Sequence, residues 1–203
     1  MAAVDTPGFW QNLYDQGGDG WEMGRAHPTL ERWLTTTPPP RGRVAVPGCG
    51  RGHDARLLSR HGYDATGFDF ADAPVAEARR LAGAEGLNTT FEQRDFFTLE
   101  RDYARAFDGV WEYTCFCAID PRRRAEYVRV MATIIKPGGW FLACFFPVAR
   151  RRGGGPPFDV GRAEVRRLLS PRFRIERAEA PVVPVPRRIG QEWMVYALRT
   201  SAL

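Results

Sequence analysis

The sequence predicts an α/β protein built on a doubly wound sheet with helices on both faces. Two observations carry this expectation. Residues 43–69 read as a strand, a glycine turn, a helix and a second strand ending on an acid. That β-α unit then recurs, five times in all, before a closing pair of strands. A chain of 203 residues suits one domain with a sizeable core.

The elements follow in order. In residues 8–16, Phe9, Trp10, Leu13 and Tyr14 recur at helical spacing. Gly17, Gly18 and Gly20 break that helix, Trp21 and Gly24 follow, and a second short helix starts at Pro28, which suits a first helical position. Pro38, Pro39 and Pro40 end this leading segment of about 40 residues. Val44–Val46 is the first strand, followed by the turn of Gly48, Gly50 and Gly52 and by a helix over His53–His61. The second strand, Tyr63–Phe68, ends at Asp69, and Asp72 opens a helix to about Gly83. Residues 89–94 alternate as a third strand, closed by Asp95, Phe96 and Phe97. The fourth strand is Phe107–Tyr113. Asp120 caps and Pro121 starts a helix to about Ile135. The turn K-P-G-G leads into a fifth strand from Trp140, and residues 147–157 form a Pro/Gly/Arg-rich loop. A helix over Gly161–Leu169 precedes strands at 172–179 and 191–199, joined by a proline-rich connection that holds Arg187 and Arg188.

Composition narrows the partners. Net charge is +5 and the isoelectric point about 9.3, yet all but one of the 29 basic residues are arginine, Lys136 being the exception. So lopsided a ratio reads as genomic base composition, and no nucleic-acid partner is expected. The four cysteines lack disulfide-like spacing, and Cys115-x-Cys117 has no second pair and no nearby histidine, so no metal site is expected. The start M-A-A-V-D-T-P-G has neither a basic region nor an apolar run, and no apolar stretch approaches the ~18 residues of a membrane span. A cytoplasmic, monomeric protein without a membrane partner is expected.

The glycine turn discriminates between ligands. A dinucleotide site reads G-x-G-x-x-G, but the sixth position counted from Gly48 is His53, so the pattern here is G-x-G-x-G. Asp69 at its strand end suits ribose hydroxyls. Asp95 with Phe96 and Phe97 suits an adenine ring, or a turn cap above core phenylalanines. Trp10, Tyr14 and Trp21 suit either a lid over a site or plain core packing.

A family resemblance gathers these pieces. The segments F-W-x-x-x-Y-x-x-G-x-x-x-W-x-x-G-R, V-P-G-C-G-R-G-H-D, G-F-D, D-F-F, E-Y-T-C-F-C-A-I-D-P, K-P-G-G, G-G-P-P-F-D-V and R-x-G-Q-E run in order from residue 9 to 192. Together they resemble the thiopurine methyltransferase superfamily of S-adenosylmethionine (SAM) dependent enzymes, most of all its halide/thiol (thiocyanate) branch. The resemblance implies the class I methyltransferase fold, a Rossmann-like seven-stranded sheet of order 3-2-1-4-5-7-6 with an antiparallel last strand. It implies one domain, with residues 1–40 a helical lid over the SAM site and 41–203 the α/β core. It implies SAM as cofactor, held by Trp10, Tyr14, Trp21, Gly24, Gly48, Gly50, Asp69, Phe70, Asp95, Phe96 and Tyr113. Tyr14 stands where the family commonly has Trp, and keeps an aromatic face for the sulfonium. Tyr113 stands where the halide/thiol branch has Tyr and the thiopurine branch Arg, which favours the former and marks Tyr113 as the catalytic candidate.

The reaction so implied moves a methyl group from SAM to the sulfur of a small-molecule thiol, or to an anion such as halide or thiocyanate. N- or O-methylation of a metabolite is the alternative. In-line methyl transfer asks the protein mainly for positioning and desolvation. A thiol with a pKa of ~8.5 needs little activation. Phe116 and Phe146 are candidate walls of an acceptor pocket, and Arg150, Arg187 and Arg188 candidate attractors of an anion. His27 and His53 read as turn residues, and Asp159 as a helix cap. A nucleic-acid base methyltransferase would carry [D/N]-P-P-[Y/F] after strand four, where this chain reads Glu112-Tyr113-Thr114-Cys115.

Overall fold

A computed structural model describes residues 3–149 and 154–201. Among them, β1 (Arg43–Pro47), β2 (Asp64–Asp69), β3 (Thr90–Gln93), β4 (Phe107–Tyr113), β5 (Ile135–Phe145), β6 (Phe173–Glu179) and β7 (Trp193–Arg199) join in one sheet. Their order is β3-β2-β1-β4-β5-β7-β6, as the family resemblance implies. The first five strands pair in parallel, and β7 runs antiparallel between β5 and β6.

Side chains alternate across this sheet, so each strand feeds two cores. On one face lie Val44, Val46, Trp111, Leu142 and Cys144, covered by α2 (Pro28–Thr36), α3 (His53–Arg60) and α4 (Asp72–Ala84). On the other lie Ala45, Val110, Phe141, Ala143 and Phe145, covered by α6 (Arg124–Ile134) and α7 (Arg162–Leu169). A short helix, α5 (Glu100–Tyr103), precedes β4. The leading helix α1 (Pro7–Asp15) buries no residue in either core.

Two elements differ from expectation. Strand β5 begins at Ile135, ahead of the K-P-G-G turn, because Ile135 already pairs with Phe107. The register then jumps to Gly109 opposite Trp140, so residues 136–139 bulge out of the ladder. Helix α5 was not expected, since four residues are too few to show a helical period. Asp120 caps as expected: its carboxylate accepts from the Arg122 N–H at 2.9 Å. It opens a 3-10 turn, Pro121–Arg123, that runs into α6. No helix among the described residues is long and apolar enough to cross a membrane.

The centre of the sheet rests on one close approach. Gly109 on β4 pairs with Trp140 on β5, and a Cβ on Gly109 would fall inside the Trp140 indole. That ring is 2 % exposed and pinned by its Nε1–H to the Pro40 carbonyl at 3.0 Å. Gly109→Ala should therefore destabilise the fold by about 1–3 kcal/mol or more, since the indole has nowhere to move. Urea denaturation read by tryptophan fluorescence measures this, and an unchanged midpoint would contradict it.

Candidate active site

The strand order reverses between β1 and β4, and a cavity of about 660 Å³ opens there at the carboxyl ends of the strands. The turn after β1 forms part of its wall. Gly48 and Gly50 hold φ of +62° and +51°, where a side chain is strained. A Cβ on Gly48 would also stand 2.9 Å from the Cys115 Cβ, so the turn touches the segment after β4 only as glycine. The Gly50 N–H donates to Asp69 Oδ2 at 2.8 Å, and the Ala71 N–H to Oδ1 at 3.0 Å. Burial pushes the Asp69 carboxyl pKa up, while these backbone donors work against that rise. Each oxygen keeps capacity for a further bond. Asp69 and Phe70 both line the cavity.

Residues before β1 close one side. Trp10, Tyr14 and Trp21 all line the cavity. Their rings meet edge to face, Trp10 to Trp21 at 5.7 Å and Tyr14 to Trp21 at 5.5 Å between centroids. They are half-buried and take no part in either core cluster. Arg51, within the glycine turn, holds the loop down by ion pairs to Asp19 and to Glu22 at 3.1 Å. Its guanidinium also lies 5.4 Å from the Tyr14 ring centroid. Burial of Glu22 opposes its charge, but His53, the Gly24 N–H and Arg51 outweigh it and hold its pKa at about 2.

Three expected site residues stand elsewhere. Gly24 lies outside the cavity, in a turn (φ +67°) whose N–H donates to Glu22 Oε1 at 2.7 Å. Asp95 also lies outside the lining. Its carboxylate caps the 3-10 turn Phe96–Thr98 by accepting from the Phe97 N–H at 2.9 Å, the simpler of its two readings. Phe96 and Phe97 do line the cavity, joined by Leu13 and Ile119, which the sequence reading missed. Phe116 is 1 % exposed and packs in the core against Phe145 and Tyr127, at 5.1 and 5.9 Å between centroids. Thr114 explains this: its φ of +60° turns the chain after β4, and Thr114, Cys115 and Cys117 face the cavity instead. Arg150 falls outside the described residues.

Opposite the glycine turn, buried polar groups converge on Tyr113. Arg188, 3 % exposed, sits in the 3-10 turn Pro186–Arg188 and donates from Nη1 to the Tyr113 hydroxyl. Its Nη2 donates to the Trp21 carbonyl at 3.1 Å, and its guanidinium lies 4.5 Å from the Phe146 ring centroid. The Tyr113 hydroxyl donates in turn to Glu192 Oε1 at 2.9 Å. Burial raises the Tyr113 pKa; Arg188 lowers it and Glu192 raises it, and the net rise keeps the phenol protonated. Arg187 is exposed on the rim, bonded to the Glu22 carbonyl at 3.1 Å.

Glu192 and His27 were not among the expected site residues. The His27 Nδ1 accepts from the Thr29 N–H at 3.2 Å, which caps α2 and leaves the ring hydrogen on Nε2. Nε2 donates to Glu192 Oε1 at 3.2 Å, and the Cys144 Sγ lies 3.8 Å from it. His27, Cys144 and Glu192 thus bring three potential ligand atoms within 4.8 Å, engaged here in hydrogen bonds. The sequence signal for Glu192 was a carboxylate within R-x-G-Q-E, directly before an apolar strand.

Consecutive residues of β4 serve different faces. Tyr113 points with Trp111 toward α2 and the cavity; Glu112 points with Val110 toward α6. Glu112 accepts from the Phe116 N–H at 2.8 Å and from the Tyr127 hydroxyl, so it fixes the turn that carries Cys115 and Cys117. Burial pushes its pKa up to about 7, against the pull of Tyr127 and the backbone donors.

Comparison with known proteins adds names. The family model described as thiopurine S-methyltransferase (TPMT) matches residues 5–202. A probable thiol methyltransferase 2 of Arabidopsis thaliana is 32% identical over 175 residues, covering 84% of this chain and 75% of that protein. Thiocyanate methyltransferase 1 of Brassica oleracea is 29% identical over 188 residues, covering 91% and 82%. Among solved structures, the Burkholderia thailandensis 1,6-didemethyltoxoflavin-N1-methyltransferase, with S-adenosylhomocysteine bound, superposes with a TM-score of 0.77. It is 22% identical, with 99% of this chain and 89% of that chain covered, so it speaks for the fold.

The raised Glu112 pKa has a measurable sign. A carboxyl whose folded pKa lies above its unfolded value binds more protons when folded, so stability falls as pH rises from about 4.5 to about 7. The loss is on the order of 3 kcal/mol at most. Glu112→Gln removes the titration, and its stability should change less between pH 5 and pH 8 than the wild type's. Parallel urea melts across that range test this; identical pH slopes would refute it.

Proposed function

This chain belongs to the thiopurine S-methyltransferase family, and from that premise we propose that it methylates the sulfur of a small thiol or of a small soft anion such as thiocyanate. It is a SAM-dependent methyltransferase of class I fold. The observation that carries the choice of acceptor is the pairing of Tyr113 with Arg188. A hydroxyl and a buried cation meet in a cavity otherwise walled largely by apolar and aromatic side chains. An anionic or easily ionised nucleophile gains there what a neutral amine would not.

The residues present suit SAM. At about 660 Å³ the cavity lies within the ~300–1,000 Å³ range of small-molecule sites. Gly48 and Gly50 offer a turn that a ligand can approach with no Cβ between them, and would receive the methionine part. Asp69, oriented by Gly50 and Ala71, would accept from the ribose hydroxyls. Phe70, Phe96 and Phe97 would cover the adenine, without Asp95. Tyr14 and Trp21 would present ring faces or edges to the sulfonium, and residues 1–40 would act as the lid over this half. When bound, the donor supplies an electrophilic methyl group on a sulfonium. The protein's part is to hold the acceptor sulfur in line and dry, with Arg188 favouring its anionic form and Tyr113 orienting it.

Incubating purified protein with SAM and a panel of thiols, thiocyanate and iodide should yield S-adenosylhomocysteine with at least one of them. No product with any member would sink the proposal. Asp69→Asn should weaken S-adenosylhomocysteine binding ten- to a hundredfold. That is the loss expected for hydrogen bonds to a charged group, about 1.5–3 kcal/mol. Calorimetry would expose an unchanged affinity, and with it an error in the place given to Asp69.

A further inference from the structure

We propose that Glu192 takes up the proton of a thiol substrate through the hydroxyl of Tyr113. The inference rests on the S-methylation reading above and goes beyond it, since that reading names no destination for the proton.

The hydrogen-bond directions define the route. Arginine can only donate, so Arg188 occupies one lone pair of the Tyr113 oxygen. The phenolic hydrogen goes to Glu192 Oε1 at 2.9 Å. One acceptor position on Oη remains, and Tyr113 lines the cavity where the acceptor would sit. Tyr113 therefore meets a neutral thiol as an acceptor of its S–H, with its own proton already aimed at a carboxylate. Glu192 is 2 % exposed and absent from the cavity lining, so it acts only through Tyr113.

The surroundings hold Glu192 ready to accept. His27, from the segment before α2, donates its Nε2–H to Oε1, and the Val185 N–H donates to Oε2 at 3.3 Å. Arg188 lies one hydroxyl away, Cys144 on β5 adjoins the His27 ring, and Asp54 on α3 bonds the His27 backbone N–H at 2.7 Å. Burial pushes the Cys144 thiol up, so that neighbour is uncharged. The groups that touch Glu192 are thus donors, aimed at both of its oxygens.

The step balances. The acceptor sulfur forms a bond to the methyl carbon as the methyl's bond to the donor sulfur breaks, and that electron pair stays on the departing S-adenosylhomocysteine. The S–H proton passes to Tyr113 Oη, and the Tyr113 proton to Glu192. A sulfur acquiring a methyl group becomes cationic and far more acidic than a thiol at ~8.5, so a carboxylate is basic enough to receive the proton. Glu192 then returns it to solvent through Tyr113 once the product leaves. Thiocyanate and iodide carry no proton, and their methylation needs no such relay.

Glu192→Gln should lower kcat for a thiol about a hundredfold at pH 7, the usual scale of general-base catalysis. The loss for thiocyanate should be at least tenfold smaller. The variant's thiol rate should climb tenfold per pH unit toward the thiol's own pKa, more steeply than the wild type's, because solvent must then supply the thiolate. Calorimetry on protein saturated with S-adenosylhomocysteine should find thiol and thiocyanate binding within about threefold of wild type. Equal losses for both acceptors, an unchanged pH profile, or loss of binding for both would overturn the proposal and reduce Glu192 to a structural support. If thermal melting shows that the variant does not fold, Tyr113→Phe decides: it too must lose thiol methylation in preference to thiocyanate methylation. A wild-type protein that methylates neither acceptor refutes the S-methylation reading itself.

Discussion

The approach of Trp140 to Gly109 sets the spacing of this protein's centre. With no Cβ on Gly109, the indole packs directly against β4 and its Nε1–H reaches the Pro40 carbonyl. Strand β4 can then pair with β1 on its other side, Val44 opposite Gly109 and Ala45 opposite Val110. That pairing delivers the ends of β1 and β4 side by side, so the Gly48 turn meets Cys115 and the cavity opens between them. A side chain at Gly109 would act on the site through the strand positions alone.

Much of this was legible in the sequence, and the division is instructive. All seven strands fall where the sequence has a run of apolar or alternating residues between turn signals, and their order is the one the family resemblance implied. Gly48, Gly50, Asp69 and Phe70 were legible because they sit at strand ends, where a regular element has already fixed the direction of exit. Asp95, Phe116 and Gly24 stand outside the cavity lining for the opposite reason. Each lies in an irregular turn: a positive φ at Thr114 precedes Phe116, a cap on the Phe97 N–H holds the Asp95 carboxylate, and Gly24 sits in a turn of its own bonded to Glu22, none of which spacing records. His27 and Glu192 were illegible in another sense. They lie 165 positions apart, and only the folded sheet makes them neighbours.

The two halves of the cavity are built on different physics. The donor half is a matter of backbone shape and aromatic faces, with one carboxylate held by N–H groups. The acceptor half is a chain of buried polar side chains, Arg188, Tyr113, Glu192 and His27, each satisfied by the next. Burying such groups is unfavourable unless the geometry is good, so they rigidify the place they occupy. Asp54 ties the halves together. One oxygen accepts from the His27 backbone and the other from the Trp111 indole, both at 2.7 Å, and the helix that carries Asp54 begins at the glycine turn.

The chain positions of this network bear on how the protein comes into being. His27 belongs to the first elements synthesised; Arg188 and Glu192 arrive just ahead of the last strand. The donor half draws its glycine turn and Asp69 from the first 70 residues, so most of it can take shape while the ribosome is still at work. The acceptor half cannot exist until β7 has slid between β5 and β6 and brought Glu192 beneath Tyr113. A chain halted shortly before residue 188 would keep most of the sheet and the glycine turn, yet leave Tyr113 without either of its charged partners.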